Sequence, residues 1–444
     1  MALYALIITG GLLIILNFAI GRRDWLNPSV IFCTMNFIYS VVCLAIKFSY
    51  SIDFHFNTAI ILMGGMLIFT LFNILVHLKR RVYIKSIMSS QMDMPFFYIN
   101  SQWVCILIVF ELIVALYMIK YARDVSRAFY GSSQGILSDI GILNNITKNR
   151  GDEFRNSGVH ASAIYVLGWP LCIAANSIIS CVFIWNYKKT HVKELFMLFP
   201  SVIMLIMSFL IGSRSTAFRF ITAFIIEFII ISRWNNKSYR QGQFKMIVRL
   251  IFILSIILIG LGYSINLIGR QTSIPIFEYV TAYVGAPFYN LDIAIQNGIV
   301  KSELFGQETF HHLYKFLSSR LGISEWNYSL NLPYLRYHGH YLGNVYTMYF
   351  MFLEDFGGMG VVILTSFIAW YYNSTYSTLM NWDRNETCFG VRLFIYGYLF
   401  NDLIMLTFSN RFFETTLGTT SILYYFWLFI LWYLFRQGLF FSKR

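Results

Sequence analysis

Charged residues are scarce in this sequence. Only 12% of the 444 residues are Asp, Glu, Lys or Arg, whereas a typical soluble domain contains about 25%. Hydrophobic residues make up 57% of the chain and aromatic residues 19%. A soluble protein cannot bury this much apolar surface, so the composition predicts an integral membrane protein. It also excludes a disordered, collagen-like or small disulfide-bonded chain.

Cysteine is missing from the polar parts of the chain. The six cysteines are Cys33, Cys43, Cys105, Cys172, Cys181 and Cys388. None of them falls in the two long polar stretches, 120–160 and 270–344. No structural disulfide is therefore expected.

The short motifs of nucleotide-, metal- and serine-dependent enzymes are also missing. The chain contains no G-x-x-x-x-G-K-[ST], C-x-x-C, H-E-x-x-H, G-x-S-x-G or D-x-D. These gaps argue against a P-loop ATPase, a redox enzyme, a zinc protease, a serine hydrolase and a metal-dependent nucleotide-sugar enzyme. His338-Gly339-His340 could bind a metal, but obvious carboxylate or cysteine partners are missing nearby. No metal and no cofactor is predicted.

Long apolar segments are what the sequence has in excess. A helix needs about 20 apolar residues to cross a bilayer. Eleven segments meet this rule and predict an all-α, polytopic fold: 2–21, 29–47, 58–77, 97–119, 161–186, 195–212, 217–232, 247–268, 356–373, 391–408 and 421–438.

Basic residues set the orientation of these spans. Clusters follow the first, third, fifth and seventh spans and end the chain: Arg22-Arg23, Lys79–Lys85, Lys188–Lys193, Arg233–Lys245 and Lys443-Arg444. All fall on one side, which the positive-inside rule makes cytoplasmic. The N-terminus is then outside and the C-terminus inside. The net charge of +13 is explained by this topology, so no nucleic-acid partner is predicted. The first span lacks a basic n-region and a cleavage site and is expected to be retained.

The chain is interpreted as one transmembrane domain, 1–444, with two long loops. Both loops, 120–160 and 270–344, fall on the non-cytoplasmic face. Loops of this length in a compact protein are usually functional or disordered. The second is rich in Tyr and in charges of both signs, so we expect it to fold into short helices that cap the membrane bundle.

Arginines are concentrated where spans meet the non-cytoplasmic face. Arg214, Arg270 and Arg411 lie at such ends, and a guanidinium group matches phosphate oxygens with a planar fork of donors. The alternative is that each one reaches to water or lipid head groups. Arg219 is a second-rank candidate, because five residues turn a regular helix by about 500° and place it on a different face from Arg214.

Histidines and acids in the second loop are candidate proton acceptors. His311, His312, His338 and His340 lie there, and His340 directly precedes the return to the membrane. A neutral His is the usual acceptor of a hydroxyl proton. Glu278 could serve instead. The alternative for each is a surface or hydrogen-bonded structural residue.

Loop aromatics have two interpretations. Tyr283, Trp326 and Tyr337 either stack on the apolar faces of sugar rings or belong to the aromatic belt of the membrane interface.

Asp355 raises a question of depth. If a span began at residue 345, this carboxylate would lie about 15 Å into the membrane, at a cost of at least about 2.5–3.5 kcal/mol. Either it has a partner, for example an Arg, or 345–355 is a short interfacial helix before the true span. The count of membrane spans favours the short interfacial helix.

A set of short motifs resembles a known family. Gly343-Asn344-Val345-Tyr346-Thr347, followed by Glu354-Asp355-Phe356-Gly357 and Gly360, resembles a recurring signature of the Wzy-type O-antigen and capsule polymerases of bacteria. Further pieces are similar in kind and placement: Asn27-Pro28, Gly212-Ser213-Arg214-Ser215, Phe305-Gly306 and Thr309-Phe310. The resemblance in architecture covers most of the chain, whereas the resemblance in sequence is limited to a few short motifs.

The resemblance implies an architecture, a place and a reaction. It implies a fold like those of GT-C enzymes and O-antigen polymerases and ligases, in the bacterial inner membrane. The substrate would be an undecaprenyl-pyrophosphate-linked oligosaccharide, and the growing chain would be transferred onto a new repeat unit at the periplasmic face. Membrane lipid and a chain-length-regulating copolymerase are the implied partners.

Roles for the candidate residues follow from this chemistry. Arg214 and Arg270 would stabilise the departing pyrophosphate as a metal does elsewhere. His340, then His338, or Glu278 would accept the hydroxyl proton. Further substrate-binding candidates are Arg219, Tyr283, Trp326, Tyr337, Asn344, Tyr346, Thr347, Asp355 and Arg411.

Three other functions stay open. A flippase for lipid-linked glycans needs no chemistry and would leave substrate length unchanged, although the long second loop counts against it. An O-antigen ligase would need a lipid A-core acceptor. A structural assembly protein would tolerate changes at the arginines.

Overall fold

The computed structural model describes residues 1–83, 96–150, 153–154, 157–190, 194–211, 214–235, 281, 283–328, 330, 332–380, 389–439 and 441–443. The chain forms two compact units. The first comprises Met1–Ser90, Ser273–Asn381 and Leu399–Thr419, and the second Gln91–Thr272, Trp382–Tyr398 and Thr420–Arg444.

Helices account for most of the described chain. In order they are α1 (Ala2–Ile20), α2 (Pro28–Tyr50), α3 (Phe56–Tyr83), α4 (Ser101–Tyr130), α5 (Ile136–Asn149), α6 (Ala163–Thr190), α7 (Phe199–Leu210), α8 (Arg214–Asn235), α9 (Ala286–Asn297), α10 (His311–Leu321), α11 (Met348–Met380), α12 (Val391–Met405), α13 (Arg411–Thr416) and α14 (Thr419–Arg436). Short 3-10 turns cover Leu195–Leu198 and Ser324–Trp326. Strands β1 (Phe97–Ile99) and β4 (Phe441–Lys443) pair antiparallel, as do β2 (Leu335–Tyr337) and β3 (His340–Gly343).

Seven of the described helices are long and apolar enough to cross a membrane: Ala2–Ile20, Pro28–Tyr50, Phe56–Leu78, Ser101–Tyr130, Ala163–Lys189, Ser215–Trp234 and Met348–Met380. The prediction of a helical membrane protein is therefore confirmed at this level. Helices also occupy the predicted spans 195–212, 391–408 and 421–438, but they are not among these seven. The predicted span 247–268 lies outside the described residues.

The first unit is built around α1, α2, α3 and α11, which pack together. Asn27 caps α2 by accepting a hydrogen bond from the Ser29 amide (2.9 Å), and Pro28 occupies the first helical turn, where no amide hydrogen is needed. The Asn27 side chain also donates to Asn73 Oδ1 (2.8 Å). Asn73 in turn donates to Asn17 Oδ1 (2.8 Å). These buried amides join three helices.

The polar stretch 270–344 folds onto this unit in its described part. Helix α9 packs against α2 and α3. Its buried Asp292 accepts hydrogen bonds at the start of α3, from the His55 amide (3.1 Å), His55 Nδ1 (2.8 Å) and Thr58 Oγ1 (2.5 Å). Asp292 thus supplies from another element the acceptor that the α3 N-terminus needs. The described part of this stretch contains the short helices α9 and α10, and its role as a cap over the membrane bundle stays a prediction.

The β2–β3 hairpin in the same stretch was not expected from the sequence. Tyr337 pairs with His340, and His338 and Gly339 form the turn with positive φ values of 47° and 83°. Two consecutive positive φ angles are typical of a tight hairpin turn. The His-Gly pair between aromatic residues was the sequence signal for it.

Helix α11 is interrupted. Gly357 has φ 64° and ψ −156°, a conformation that essentially only glycine adopts. The break agrees with the interpretation of 345–355 as a short helix that precedes the span. Asp355 also has partners, and they are backbone amides rather than the Arg suggested as one possibility.

The second unit is centred on α4, which packs against α5, α6 and α7, while α6 packs against α8. Residues 120–130 continue α4 and 136–149 form α5, so the predicted loop 120–160 is largely helical where it is described. Val125 of α4 and Ile140 and Ile146 of α5 belong to one buried apolar cluster, which packs the two helices together.

Candidate functional site

The candidate site lies in the first unit, where residues 302–310, hereafter the anchored segment, meet the first half of α11. One Asp355 oxygen accepts a hydrogen bond from the Glu308 amide (3.1 Å) and the other from the Thr309 amide (2.6 Å). The Ser302 amide donates to the Glu354 carbonyl oxygen (3.1 Å). Two motifs that are far apart in the sequence are thereby brought together.

Aromatic packing holds the same junction. The Phe356 ring lies 4.9 Å from that of Phe305 and 6.1 Å from that of Phe310, between ring centres. Gly306 has φ +67°, and a Cβ there would lie 2.3 Å from the Phe310 ring. The Phe305-Gly306 and Thr309-Phe310 motifs therefore pack the anchored segment against α11.

The turn between α12 and α13 completes the site. Asn410 Nδ2 donates to the Thr309 carbonyl oxygen (3.1 Å), and the Met348 amide donates to that of Leu406 (3.3 Å). Asn410 and Thr347 are fully buried, yet Asn410 Oδ1 and Thr347 Oγ1 have no hydrogen-bond partner among the described residues. Buried polar atoms are rarely left unpaired, so these two atoms mark the turn as a candidate for binding a polar group.

Arg411 follows directly and is held in place on two sides. Its Nη1 lies 3.3 Å from Glu414 Oε2, and its guanidinium group lies 5.7 Å from the centre of the Phe408 ring. Phe408 also stacks on Tyr283, with 5.7 Å between ring centres and 5° between planes. About a third of the Arg411 side chain is exposed, while its Nε is buried without a partner among the described residues. A fixed cation with an unused donor suits an anion.

His312, one of the loop histidines, lies beside this cation. Desolvation, together with the positive charges of Lys315 and Arg411, lowers the pKa of His312 to about 4, although the residue as a whole is exposed. It is neutral at pH 7 but a weak base, because an efficient proton acceptor has a pKa near the working pH.

Glu308 was missed by the sequence analysis. Its side chain is half-buried, and burial, with the negative charge of Asp355, raises the pKa of Glu308 to about 7. The available signal was that this acid stands between two motifs already singled out, Phe305-Gly306 and Thr309-Phe310.

Other predicted residues of the first unit are placed near their own partners. The His340 ring stacks on Tyr50 at 3.9 Å, and His338 is exposed at the hairpin turn with its ring 4.2 Å from that of Tyr337. Trp326 packs edge-on against Tyr314 at 5.4 Å.

The signature residues Asn344 and Tyr346 lie between β3 and α11. Tyr346 is buried, its hydroxyl donates to the Pro333 carbonyl oxygen (3.1 Å), and its ring stacks on Phe350. Asn344 is partly exposed. These contacts give Tyr346 a structural role; its predicted role in binding substrate stays a prediction.

The predicted arginines outside the first unit are only partly visible. In the second unit Arg219 lies 5.1 Å from the centre of the Tyr398 ring. Arg214 begins α8, but its side chain, Arg270 and Glu278 lie outside the described residues. The predicted convergence of Arg214, Arg270 and Arg411 therefore stays a prediction.

No family model matches the chain, and no curated protein or solved structure matches it either. In the part of the chain that the structure describes, no group of three or more His, Cys, Asp or Glu side chains is placed to hold a metal ion.

Proposed function

We propose that the protein is a membrane glycosyltransferase that polymerises undecaprenyl-pyrophosphate-linked oligosaccharide repeat units into O-antigen or capsular polysaccharide. The observation that carries the proposal is Arg411, whose buried Nε has no partner among the described residues and whose guanidinium group lies over Phe408 of the Tyr283–Phe408 stack. A cation, unpaired buried polar atoms and an aromatic face are what a glycosyl pyrophosphate needs.

The proposed setting is the bacterial inner membrane, with eleven spans, a periplasmic N-terminus and a cytoplasmic C-terminus. The candidate site then faces the periplasm, where no nucleotide is needed because the pyrophosphate already activates the donor. A chain-length-regulating copolymerase is part of the same proposal.

The proposed step is one displacement. An acceptor hydroxyl oxygen forms a bond to the anomeric carbon of the growing chain, and the bond from that carbon to the pyrophosphate oxygen breaks. The pyrophosphate leaves with the bonding electrons. Arg411 stabilises the charge that develops on the pyrophosphate through charge-assisted hydrogen bonds. The roles of Arg214 and Arg270 stay predictions from the sequence.

The test is elongation of lipid-linked glycan. Single repeat units on undecaprenyl pyrophosphate are extracted from a host that lacks this gene and supplied to the purified protein in liposomes, and product length is read on a gel. Wild type should produce a ladder. Arg411→Ala should slow elongation by about 10²–10³-fold, the usual effect of removing one donor to a developing charge.

Arg320→Ala is the matched control. Arg320 is an exposed residue of α10 that also lies over an aromatic ring, Phe316, at 5.9 Å, and its loss should leave the ladder unchanged. Equal elongation by both variants would remove Arg411 from the site. Substrate that crosses the bilayer without growing would identify a flippase, and growth only in the presence of lipid A-core would identify a ligase.

A further inference from the structure

We propose that Glu308 is the proton acceptor of the candidate site and that Asp355 is the residue that positions it. This inference rests on the proposed glycosyl transfer. As the acceptor hydroxyl oxygen bonds to the anomeric carbon and the pyrophosphate departs with the bonding electrons, the hydroxyl proton moves to the Glu308 carboxylate.

The position of Glu308 is fixed from both sides. Both Asp355 oxygens are used to hold the amides of Glu308 and Thr309. On the other side, the Thr309 carbonyl oxygen accepts a hydrogen bond from Asn410, the residue before Arg411. The backbone of Glu308 is therefore tied, through Thr309, to the residue that precedes Arg411.

Independent atoms at the same place indicate the ligand. Asn410 is fully buried, and its Oδ1, which belongs to the amide that holds Thr309, has no partner among the described residues. An unpaired amide oxygen requires a donor, which a sugar hydroxyl supplies. The buried Nε–H of Arg411 requires an acceptor, which a phosphate oxygen supplies. Two adjacent residues of the turn thus offer an acceptor that suits a hydroxyl and a donor that suits a phosphate oxygen.

The charges around Glu308 suit a base that works near neutral pH. Asp355 and Glu354 approach it from α11 and Tyr328 from the chain after α10, while Arg411 and Glu414 pair with each other on α13. In the described part of the chain no Lys or Arg forms an ion pair with Glu308. With its pKa raised to about 7 by burial and by Asp355, Glu308 is far more basic than His312.

The test measures initial elongation rate against pH from 5 to 9 in the liposome assay. The wild-type rate should rise through a midpoint near 7 as Glu308 loses its proton. Glu308→Gln should lower the rate by about 10²–10⁴-fold, the usual contribution of a general base, and flatten this rise. Glu303→Gln removes an exposed acid of the same segment and should match wild type.

Asp355→Asn provides a second measurement, the pH at which the elongation rate rises. A variant that merely misfolds would lose activity without shifting this pH. Removing the negative charge of Asp355 lowers the pKa of Glu308, so the rising limb of the profile should shift to lower pH while elongation persists at a reduced rate. Protein level and monodispersity are checked by size-exclusion chromatography in each case.

The outcomes separate the two proposals. Wild type that elongates, with a Glu308→Gln profile equal to it or an Asp355→Asn limb that stays in place, overturns the role of Glu308 and leaves the proposed function standing. Wild-type protein that does not elongate the substrate overturns both.

Discussion

At the residue scale, the guanidinium group of Arg411 is the feature on which the proposed function depends most. Its contacts with Glu414 and Phe408 leave the Nε–H group without an acceptor among the described residues. A planar fork binds phosphate oxygens in pairs, whereas an ammonium group acts as a point charge. The geometry of the fork, as well as its charge, should therefore matter to the proposed transfer.

Arg411→Lys tests this distinction. The variant keeps the charge and loses the fork, so we expect elongation at a rate between those of wild type and Arg411→Ala, at least about tenfold below wild type, in keeping with the loss of one hydrogen bond to a charged group. The measurement is the liposome ladder at equal protein. A rate equal to wild type would show that only charge is needed.

The residues of this site were only partly foreseeable. Arg411, Tyr283 and Asp355 were named from the sequence because their residue types and positions near span ends suggest function. Phe408, Asn410 and Glu308 were not, since what distinguishes them is an unpaired atom, a shared ring contact or a neighbouring carboxylate. Such features arise only when segments distant in the chain meet.

At the scale of elements, the break in α11 depends on two glycines that can be tested. Gly357 adopts a backbone conformation that essentially excludes other residues, and a Cβ at Gly360 would lie 2.8 Å from the Phe352 carbonyl oxygen. Gly357→Ala or Gly360→Ala should each destabilise the protein by about 1–3 kcal/mol, seen as a lower Tm in detergent.

Gly358→Ala is the internal control for this pair, because a Cβ at that position meets nothing within 4 Å. It should melt like wild type. If all three variants melted alike, the interruption of the helix would not depend on these backbone conformations.

Asp292 offers a second test at this scale. Asp292→Ala leaves the His55 amide and the Thr58 hydroxyl without their acceptor, which should cost about 1–3 kcal/mol for each buried group left unpaired. The readout is again Tm in detergent. Asp53→Asn serves for comparison, because Asp53 is 86% exposed in its ion pair with Lys47, and exposed pairs contribute about 0–1 kcal/mol.

Element types were predictable where apolar length decided them. Six of the predicted spans from 2–21 to 217–232 correspond to long apolar helices of the structure. The helix at 136–149 and the β2–β3 hairpin were missed, because the first lies in a polar stretch and the second depends on a two-residue turn.

At the scale of the whole molecule, the proposed orientation can be measured by labelling. A cysteine at Ser319, an exposed position of α10, should react with a membrane-impermeant maleimide added to intact spheroplasts. A cysteine at Ser442 should react only after the membrane is opened. The parent is a variant that lacks Cys105, the exposed cysteine among those described, and Cys388, which the proposed topology places on the same side as Ser442. If Ser442→Cys reacted in intact spheroplasts and Ser319→Cys reacted only after opening, the orientation would be the opposite of the one proposed. The candidate site would then face the cytoplasm.

The interruption at Gly357 also has a mechanical consequence for the lipid. The part of α11 after it, residues 358–380, is about 34 Å long at 1.5 Å per residue, close to the hydrocarbon thickness of about 30 Å. The part before it carries Asp355 and contacts Leu406. In the proposed membrane arrangement, the length of this helix sets the distance between the candidate site and the acyl chains. Because bilayers of mismatched thickness force helices to tilt, turnover should peak at one phospholipid chain length and fall in both shorter and longer lipids.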